Sequence, residues 1–338
     1  MKTASVRPRT GLRFTNGLQF KEFVTDVLWH LADDYEFVED ANAQFLIFGP
    51  YGPPPPPGNY VRIGYFCENV WPNLECCDWA FGMPYGEEVG SDRYCRIDWH
   101  GIRPEQLVRD LQSTATRPLP PRFCNFVFSN PVGFRESFFL ALNRYRHVDA
   151  PGKSMNNMPS FDSDYRDDDK WVRKRKFLSQ YKFTIAFEND SSCGYNTEKL
   201  TDAMLAGSIP IYLGNPEVGR HFNARSFINA HEYFPFRQNF LTRWTEKLGM
   251  TRWGRRERLP LRIQPRFRKA MRFFKFRLKY GFDFSALVAK IIELDQNESL
   301  YRTMLAEPLL HDNLPPSVEP LRRRWIQIFN SELPLQKL

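Results

Sequence analysis

The first half of the chain alternates between helical and strand-like patterns of hydrophobic residues. Six apolar residues between Phe20 and Leu31 recur at helical spacing and predict a helix. Short apolar runs typical of buried strands occupy residues 35–38, 43–48, 61–66 and 78–82. Because strands separated by helices favour parallel pairing with crossover connections, this pattern predicts an α/β fold with a parallel sheet.

The most regular pattern lies between residues 182 and 214. It predicts a strand (183–187), a polar loop (188–196), a helix (197–206) that Gly207 ends, and a returning strand (209–213). In parallel sheets, ligands bind at the carboxyl ends of strands, beside helix N-termini. The loop and the helix start are therefore a candidate ligand site.

Domain boundaries follow from composition. The Ser-, Thr- and Pro-rich stretch 113–121 is typical of a linker, and the strand 123–128 and helix 133–143 start a second unit. We therefore expect domains at 1–118 and 122–300 and a C-terminal helical tail at 301–338. The five prolines 53–57 favour a stiff polyproline II connector, with a ligand for a partner domain as the alternative.

Composition excludes several classes of protein. The 338 residues include 15% aromatics, which excludes wholesale disorder, and no apolar window is long enough to span a membrane. The basic N-terminus lacks the apolar segment of a signal peptide. Six cysteines without a C-x-x-C pair predict reduced thiols rather than a disulfide framework or a structural zinc site. We expect a cytoplasmic globular protein.

Positive charge is concentrated in one segment. Residues 243–280 carry fourteen Lys and Arg against two acids, a net charge of +12, so the rest of this +8 chain is −4. Cations interleaved with aromatics suit peripheral attachment to an anionic inner-membrane surface. A helical hairpin that packs its aromatics on the domain is the alternative. Nucleic acid would also attract this charge, but no recognition module accompanies it, so we expect no nucleic-acid partner.

The predicted loop and helix start contain residue types that suit a sugar nucleotide. A helix N-terminus offers unpaired N–H groups and about half a positive charge to a phosphate, and Lys199 adds a full charge. Glu198 can accept hydrogen bonds from sugar hydroxyls. An ordinary N-capped helix with a solvated Glu198–Lys199 pair remains the alternative.

The same region resembles a known signature. Phe187-Glu188-Asn189, then Gly194-Tyr195-Asn196-Thr197-Glu198-Lys199 with Asp202-Ala203, then Gly207-Ser208-Ile209-Pro210-Ile211-Tyr212-Leu213-Gly214, is similar to the donor-binding signature of the bacterial α-1,3/α-1,4-fucosyltransferases. Ser129-Asn130-Pro131 with Arg135, residues 64–82 and residues 221–229 are similar to other segments of that family. The resemblance runs from about residue 40 to about residue 312 and is weakest between residues 83 and 121.

The resemblance implies a fold and a reaction. The expected fold is GT-B, two facing Rossmann-like domains with parallel sheets, whose C-terminal domain binds GDP-fucose and whose N-terminal domain binds the acceptor. The implied reaction transfers fucose, with inversion, to the 3- or 4-hydroxyl of N-acetylglucosamine in a glycan or glycolipid, such as N-acetyllactosamine or a lipopolysaccharide chain. A base must take the hydroxyl proton, and cations must stabilise the leaving diphosphate.

The resemblance also assigns roles to individual residues. Arg135 and Lys199 correspond to a diphosphate clamp, and Glu68 to the catalytic base. Asn189, Tyr195 and Glu198 correspond to contacts with the nucleotide and the sugar. Glu188 is the rival base or a group that orients the sugar.

The sequence also contains a possible metal-binding motif, and it leaves other functions open. Asp162-Ser163-Asp164 has the D-x-D spacing of some metal-dependent glycosyltransferases, but its polar surroundings predict a solvated loop before a helix at 170–181. We expect no obligatory metal, although Mg²⁺ or Mn²⁺ can help to neutralise released GDP. The alternatives are a non-catalytic membrane- or polyanion-binding protein on a degenerate transferase scaffold and a GT-B transferase that uses another nucleotide sugar.

Overall fold

The computed structural model describes residues 7–97, 101–163, 169–234, 273, 277, 281 and 283–331. The chain forms two compact units. The first comprises Met1–Arg103, Cys193–Tyr195 and Pro316–Leu338, and the second comprises Pro104–Ser192 and Asn196–Pro315. None of the described helices combines the length and the hydropathy that a membrane-spanning segment requires.

Helices and strands alternate along the described chain. Its strands are β1 (Arg9–Thr15), β2 (Glu36–Glu39), β3 (Phe45–Phe48), β4 (Val61–Phe66), β5 (Trp79–Gly82), β6 (Tyr94–Arg96), β7 (Arg122–Asn125), β8 (Val148–Asp149), β9 (Tyr181–Phe187), β10 (Ile209–Leu213) and β11 (Ile228–Asn229). Its α-helices are α1 (Phe20–Asp26), α2 (Gly86–Val89), α3 (Leu111–Thr116), α4 (Gly133–Asn143), α5 (Lys170–Leu178), α6 (Glu198–Ala206), α7 (Ser285–Gln296), α8 (Glu298–Ala306) and α9 (Glu319–Phe329).

The first unit contains a six-stranded sheet in the order β2-β1-β3-β4-β5-β6, with every pairing parallel. Leu12, Ile47 and Ile63 are fully buried in its core. Helix α9 returns to this core, where the Trp325 ring stacks on Phe81 with centroids 4.3 Å apart. Residues near the C-terminus therefore complete the N-terminal unit.

The second unit contains a five-stranded parallel sheet in the order β11-β10-β9-β7-β8. Aromatic side chains fill much of its core, and the ring of Phe138 on α4 stacks on Phe187 with centroids 4.8 Å apart. The sheet and its helices confirm the strand–loop–helix–strand unit predicted between residues 182 and 214. The predicted parallel α/β class is confirmed in both units.

The predicted domain boundaries differ from the observed division. Residues 113–116 of the stretch interpreted as a linker lie in α3, which packs against α8. Arg109, just before α3, donates to the carbonyl oxygens of Leu305 and Glu307, the latter at 2.7 Å. The second unit therefore begins at Pro104 rather than at residue 122, and the tail predicted at 301–338 is shared between the two units. Apart from Phe273 and Arg277, the basic segment 243–280 lies outside the described residues.

The packing of α9 generates a stability prediction. Replacing Trp325, which is 0% exposed, with alanine removes a large buried ring and should lower the free energy of unfolding by about 3–5 kcal/mol. Urea unfolding followed by circular dichroism measures this loss. On the same helix, Arg323 is exposed, and R323A should stay within about 0.5 kcal/mol of the parent protein. Equal, small effects of both substitutions would contradict the observed core.

Candidate active site

The start of α6 is held by a buried carboxylate at the end of β9. Glu188 has a fully buried side chain whose Oε1 accepts hydrogen bonds from the backbone N–H and the hydroxyl of Thr197, both at 2.8 Å. Its own backbone N–H donates to the Leu213 carbonyl at 2.7 Å. Glu188 thus joins the ends of two neighbouring strands to the helix N-cap. Burial raises the pKa of Glu188, while Lys199 and Thr197 oppose that rise.

Lys199 lies in the first turn of α6 and completes this network. Its Nζ is 3.3 Å from Glu188 Oε2, 3.5 Å from Glu198 Oε1 and 3.0 Å from the Thr197 hydroxyl. Burial acts to lower the pKa of Lys199, but the two carboxylates raise it overall. The side chain therefore stays cationic at neutral pH, beside the N–H groups of the helix N-terminus.

Glu198 is the more open of the two carboxylates, with its side chain 33% exposed. Burial acts to raise its pKa, but Lys199 and Lys174 bring it down to about 2. Lys174, on α5, also forms an ion pair with the fully buried Asp202 at 2.8 Å, as does Arg175. The α5 cations were not predicted as site residues, because a basic amphipathic helix is usually solvated.

Arg135 is 1% exposed and braces the loop that follows β9. Its Nη1 donates to the Phe187 carbonyl at 3.2 Å and to Asn189 Oδ1 at 3.3 Å, and Nη2 donates to the Asn130 carbonyl at 2.7 Å. Its guanidinium carbon lies 3.6 Å from the centre of the Phe128 ring. The structure thus brings Arg135 and Asn189 together. A phosphate can reach this cation only after some of these groups move aside.

Glu68 and Tyr195, two further predicted site residues, belong to the first unit. Glu68 follows β4 and is half-buried. The Tyr195 hydroxyl donates a hydrogen bond to Glu68 Oε2 at 3.5 Å. Tyr195 is 1% exposed and packs in the core of this unit. The resemblance implied a contact of Tyr195 with the nucleotide or the sugar, and the described structure pairs its hydroxyl with Glu68.

Arg96 fixes the backbone just before Tyr195. Its Nη2 donates to the Gly194 carbonyl at 3.1 Å, and its Nε donates to the Met83 carbonyl at 3.2 Å. Gly194 has a φ of +77°, and a Cβ there would lie 2.2 Å from the Met83 oxygen. Sequence reasoning missed Arg96, because it lies where the family resemblance is weakest.

The described residues contain no group of three or more His, Cys, Asp and Glu side chains that could hold a metal ion. Asp162 accepts a hydrogen bond from the Ser160 hydroxyl at 2.8 Å, and Asp164 lies outside the described residues. Asp169 caps α5 by accepting a hydrogen bond from the Trp171 N–H at 2.8 Å.

The helix predicted at 170–181 ends at Leu178, and β9 begins at Tyr181.

A family model matches the part of the chain that contains Arg135, Glu188, Glu198 and Lys199. Residues 123–246 match the family model of the C-terminal domain of glycosyltransferase family 10 (fucosyltransferase). This match confirms the family resemblance of residues 187–214.

Curated relatives agree with this match. The alpha-(1,3)-fucosyltransferase of Helicobacter pylori is 31% identical over 213 residues, which cover 53% of this chain and 42% of the relative. Alpha-(1,3)-fucosyltransferase B of Drosophila melanogaster is 32% identical over 143 residues, 40% of this chain and 29% of the relative. The chain thus spans less than half the length of these curated relatives.

Solved structures share the fold. A crystal structure of an alpha1,3-fucosyltransferase with GDP matches 98% of this chain and 93% of its own, with a TM-score of 0.65 and 23% identity. A crystal structure of an alpha1,3-fucosyltransferase with GDP-fucose covers 98% and 94%, with a TM-score of 0.64 and 24% identity. These matches confirm the predicted GT-B fold class.

The tight fit around Gly194 generates a prediction. Because both its φ and its proximity to Met83 exclude a side chain, G194A should cost about 1–3 kcal/mol of stability and displace Tyr195 from Glu68. Thermal unfolding measures the cost. G86A is the matched control, since a Cβ at Gly86 meets nothing within 4 Å. Equal melting temperatures for the two variants would contradict the constraint.

Proposed function

We propose that the chain is an inverting fucosyltransferase that moves fucose from GDP-fucose to a 3- or 4-hydroxyl of N-acetylglucosamine in a glycan acceptor, such as N-acetyllactosamine or a lipopolysaccharide chain. The observation that carries the proposal is the cation Lys199, held at the N-terminus of α6 by buried Glu188 inside the segment that matches family 10. The crystallised GDP and GDP-fucose complexes of proteins with this fold support the choice of donor.

The start of α6 has the charge distribution that a diphosphate leaving group needs. As the bond to fucose C1 breaks, negative charge develops on the diphosphate, and Lys199 and the helix N–H groups can stabilise it. In the described structure, the carboxylates of Glu188 and Glu198 form ion pairs with the positive charge of Lys199. When the donor binds, the ammonium group of Lys199 would interact less with these two carboxylates and more with the phosphates.

Arg135 is the second cation of the proposed clamp. Its positive charge acts to lower the pKa of Lys199, so the two cations lie close enough to interact electrostatically. Since its guanidinium is covered by backbone carbonyls and Asn189, we infer that donor binding rearranges the turn around Asn130 or the loop that begins at Glu188. Asn189 and Glu198 would then contact the nucleotide and the sugar.

Two carboxylates compete for the role of base, and their surroundings differ. Glu188 is fully buried, and its oxygens already accept from Thr197 and contact Lys199, which supports a positioning role. Glu68 is half-buried, with the Tyr195 hydroxyl as a donor that can orient it. We therefore propose that Glu68 removes the proton from the acceptor hydroxyl. Tyr195 would orient the Glu68 carboxylate by donating a hydrogen bond to it.

The proposal also covers metal and location. We propose that the reaction needs no bound metal and that Mg²⁺ or Mn²⁺ stimulates it by neutralising released GDP. We further propose a cytoplasmic protein whose basic segment 243–280 attaches it to the anionic inner-membrane surface.

Release of GDP tests the activity itself. The purified protein should release GDP from GDP-fucose faster when N-acetyllactosamine is present, and a fucosylated product should be detectable by mass spectrometry. GDP-mannose and UDP-galactose serve as matched donors. Faster turnover of either one would overturn the assignment of the donor.

The choice of base leads to a mutational prediction. E68Q should lower kcat by about 10²–10⁴-fold while GDP affinity is retained, because the amide cannot take the acceptor proton. E39Q, at an exposed position of the same unit, should leave kcat unchanged. An unchanged kcat for E68Q would reject Glu68 as the base.

Metal removal gives a further prediction. After treatment with EDTA, initial rates should persist, and added Mg²⁺ or Mn²⁺ should raise them chiefly where product GDP accumulates. A complete loss of initial rate that Mg²⁺ or Mn²⁺ restores would contradict catalysis by protein side chains alone.

A further inference from the structure

Two adjacent thiols share one hydrogen-bond acceptor on the loop between β4 and β5. Cys76 Sγ lies 3.1 Å and Cys77 Sγ lies 3.2 Å from the carbonyl oxygen of Asn73, so no more than about 6.3 Å can separate the two sulfurs. The Cys77 thiol also acts on the ionisation of Cys76, which agrees with two closely spaced sulfur atoms. The loop therefore presents two sulfur atoms as neighbours.

The two thiols differ in accessibility and ionisation. Cys77 is 1% exposed, whereas Cys76 is half-buried and gives access to the pair. The hydrogen bond from Cys77 is the main cause that lowers the pKa of Cys76, to about 7, and burial opposes it. Hydrogen bonding to Cys76, followed by burial, raises the pKa of Cys77. Near neutral pH a substantial fraction of Cys76 is thus ionised beside the Cys77 thiol, and the thiolate is the nucleophile.

The surroundings restrict what such a pair can bind. Neighbouring cysteines have poor geometry for a disulfide. Within the described residues, no cluster of three or more His, Cys, Asp and Glu side chains completes a metal site. A suitable ligand therefore needs only two sulfur atoms from the protein and prefers soft donors. Trivalent arsenic with one organic substituent meets both requirements.

We propose that Cys76 and Cys77 form a dithiol site that binds trivalent organoarsenicals by chelation. The Cys76 thiolate forms the first arsenic–sulfur bond and Cys77 forms the second. The oxygen of the R–As=O reagent leaves as water with two protons, one from the Cys77 thiol and one from solvent, which replaces the proton that Cys76 released on ionisation. Arsenic keeps its oxidation state, so no oxidant or reductant takes part. The proposal is independent of the fucosyltransferase assignment.

The site is coupled to the segment that carries Glu68. Val70 and Cys76 both pack against a small core that includes Phe48, Phe66 and Cys77. Chelation replaces both S–H groups, so neither sulfur can still donate to the Asn73 carbonyl, and the loop should be disturbed. We expect the effect to be confined to the first unit.

Intact-mass measurement with phenylarsine oxide tests the site. The reduced full chain, mixed with one equivalent, should gain one arsenical with loss of one water. Because two attachments bind about 10²–10⁴-fold more tightly than one, excess glutathione should leave the adduct in place, and 2,3-dimercaptopropanol should remove it. Failure to form an adduct, or its removal by glutathione, would overturn the proposal.

Serine variants and protection from alkylation locate the adduct. C76S and C77S should each lose the glutathione-resistant adduct, whereas the matched variants C67S and C193S should keep it. Since Cys77 is buried, a measurement on the parent protein complements these variants: the arsenical, bound before unfolding, should protect Cys76 and Cys77 from iodoacetamide added in urea, where both thiols are otherwise accessible, as mapped by peptide mass spectrometry. Protection of a different pair of cysteines would place the site elsewhere and refute this assignment.

Discussion

The candidate site of the second unit depends on the contacts that the buried carboxylate of Glu188 makes with Thr197 and Lys199. An isolated buried charge is costly, and here Thr197 and Lys199 offset that cost by hydrogen bonding and ion pairing. The same contacts fix where α6 begins and hold a cation beside the helix N-terminus. One residue at the end of a strand thus determines both the local fold and the local electrostatics. Substitution of Glu188 should therefore affect folding and ligand binding together.

In the first unit, polar groups converge on Glu68 by a different route. Arg96 donates hydrogen bonds to the carbonyl oxygens of Met83 and Gly194. Tyr195, which follows Gly194, has a buried ring and donates a hydrogen bond from its hydroxyl to Glu68. Backbone geometry at Gly194 makes this approach possible. The candidate base is therefore oriented by residues distant from it in sequence.

Sequence patterns predicted the second unit better than the first. Strand β10 and helix α4 have the predicted bounds, because β10 is an uninterrupted apolar run and the buried residues Phe134, Phe138 and Leu142 of α4 recur at helical spacing. Strand β1 was missed, although it lies inside the first sheet, because Leu12 is the one residue in it that is fully buried and its arginines obscure the pattern. Of the candidate site, the loop and helix residues could be predicted from their signature. The pairing of Tyr195 with Glu68 depends on tertiary packing that no local pattern encodes.

Calorimetric titration of the intact protein with GDP tests the central claim that Lys199, held by Glu188, binds a diphosphate. K199Q should weaken GDP binding by roughly 10–100-fold, since a hydrogen bond to a charged group contributes about 1.5–3 kcal/mol. K170Q, on the exposed start of α5, should bind as the parent protein does. Equal GDP affinity in K199Q and the parent protein would contradict the account.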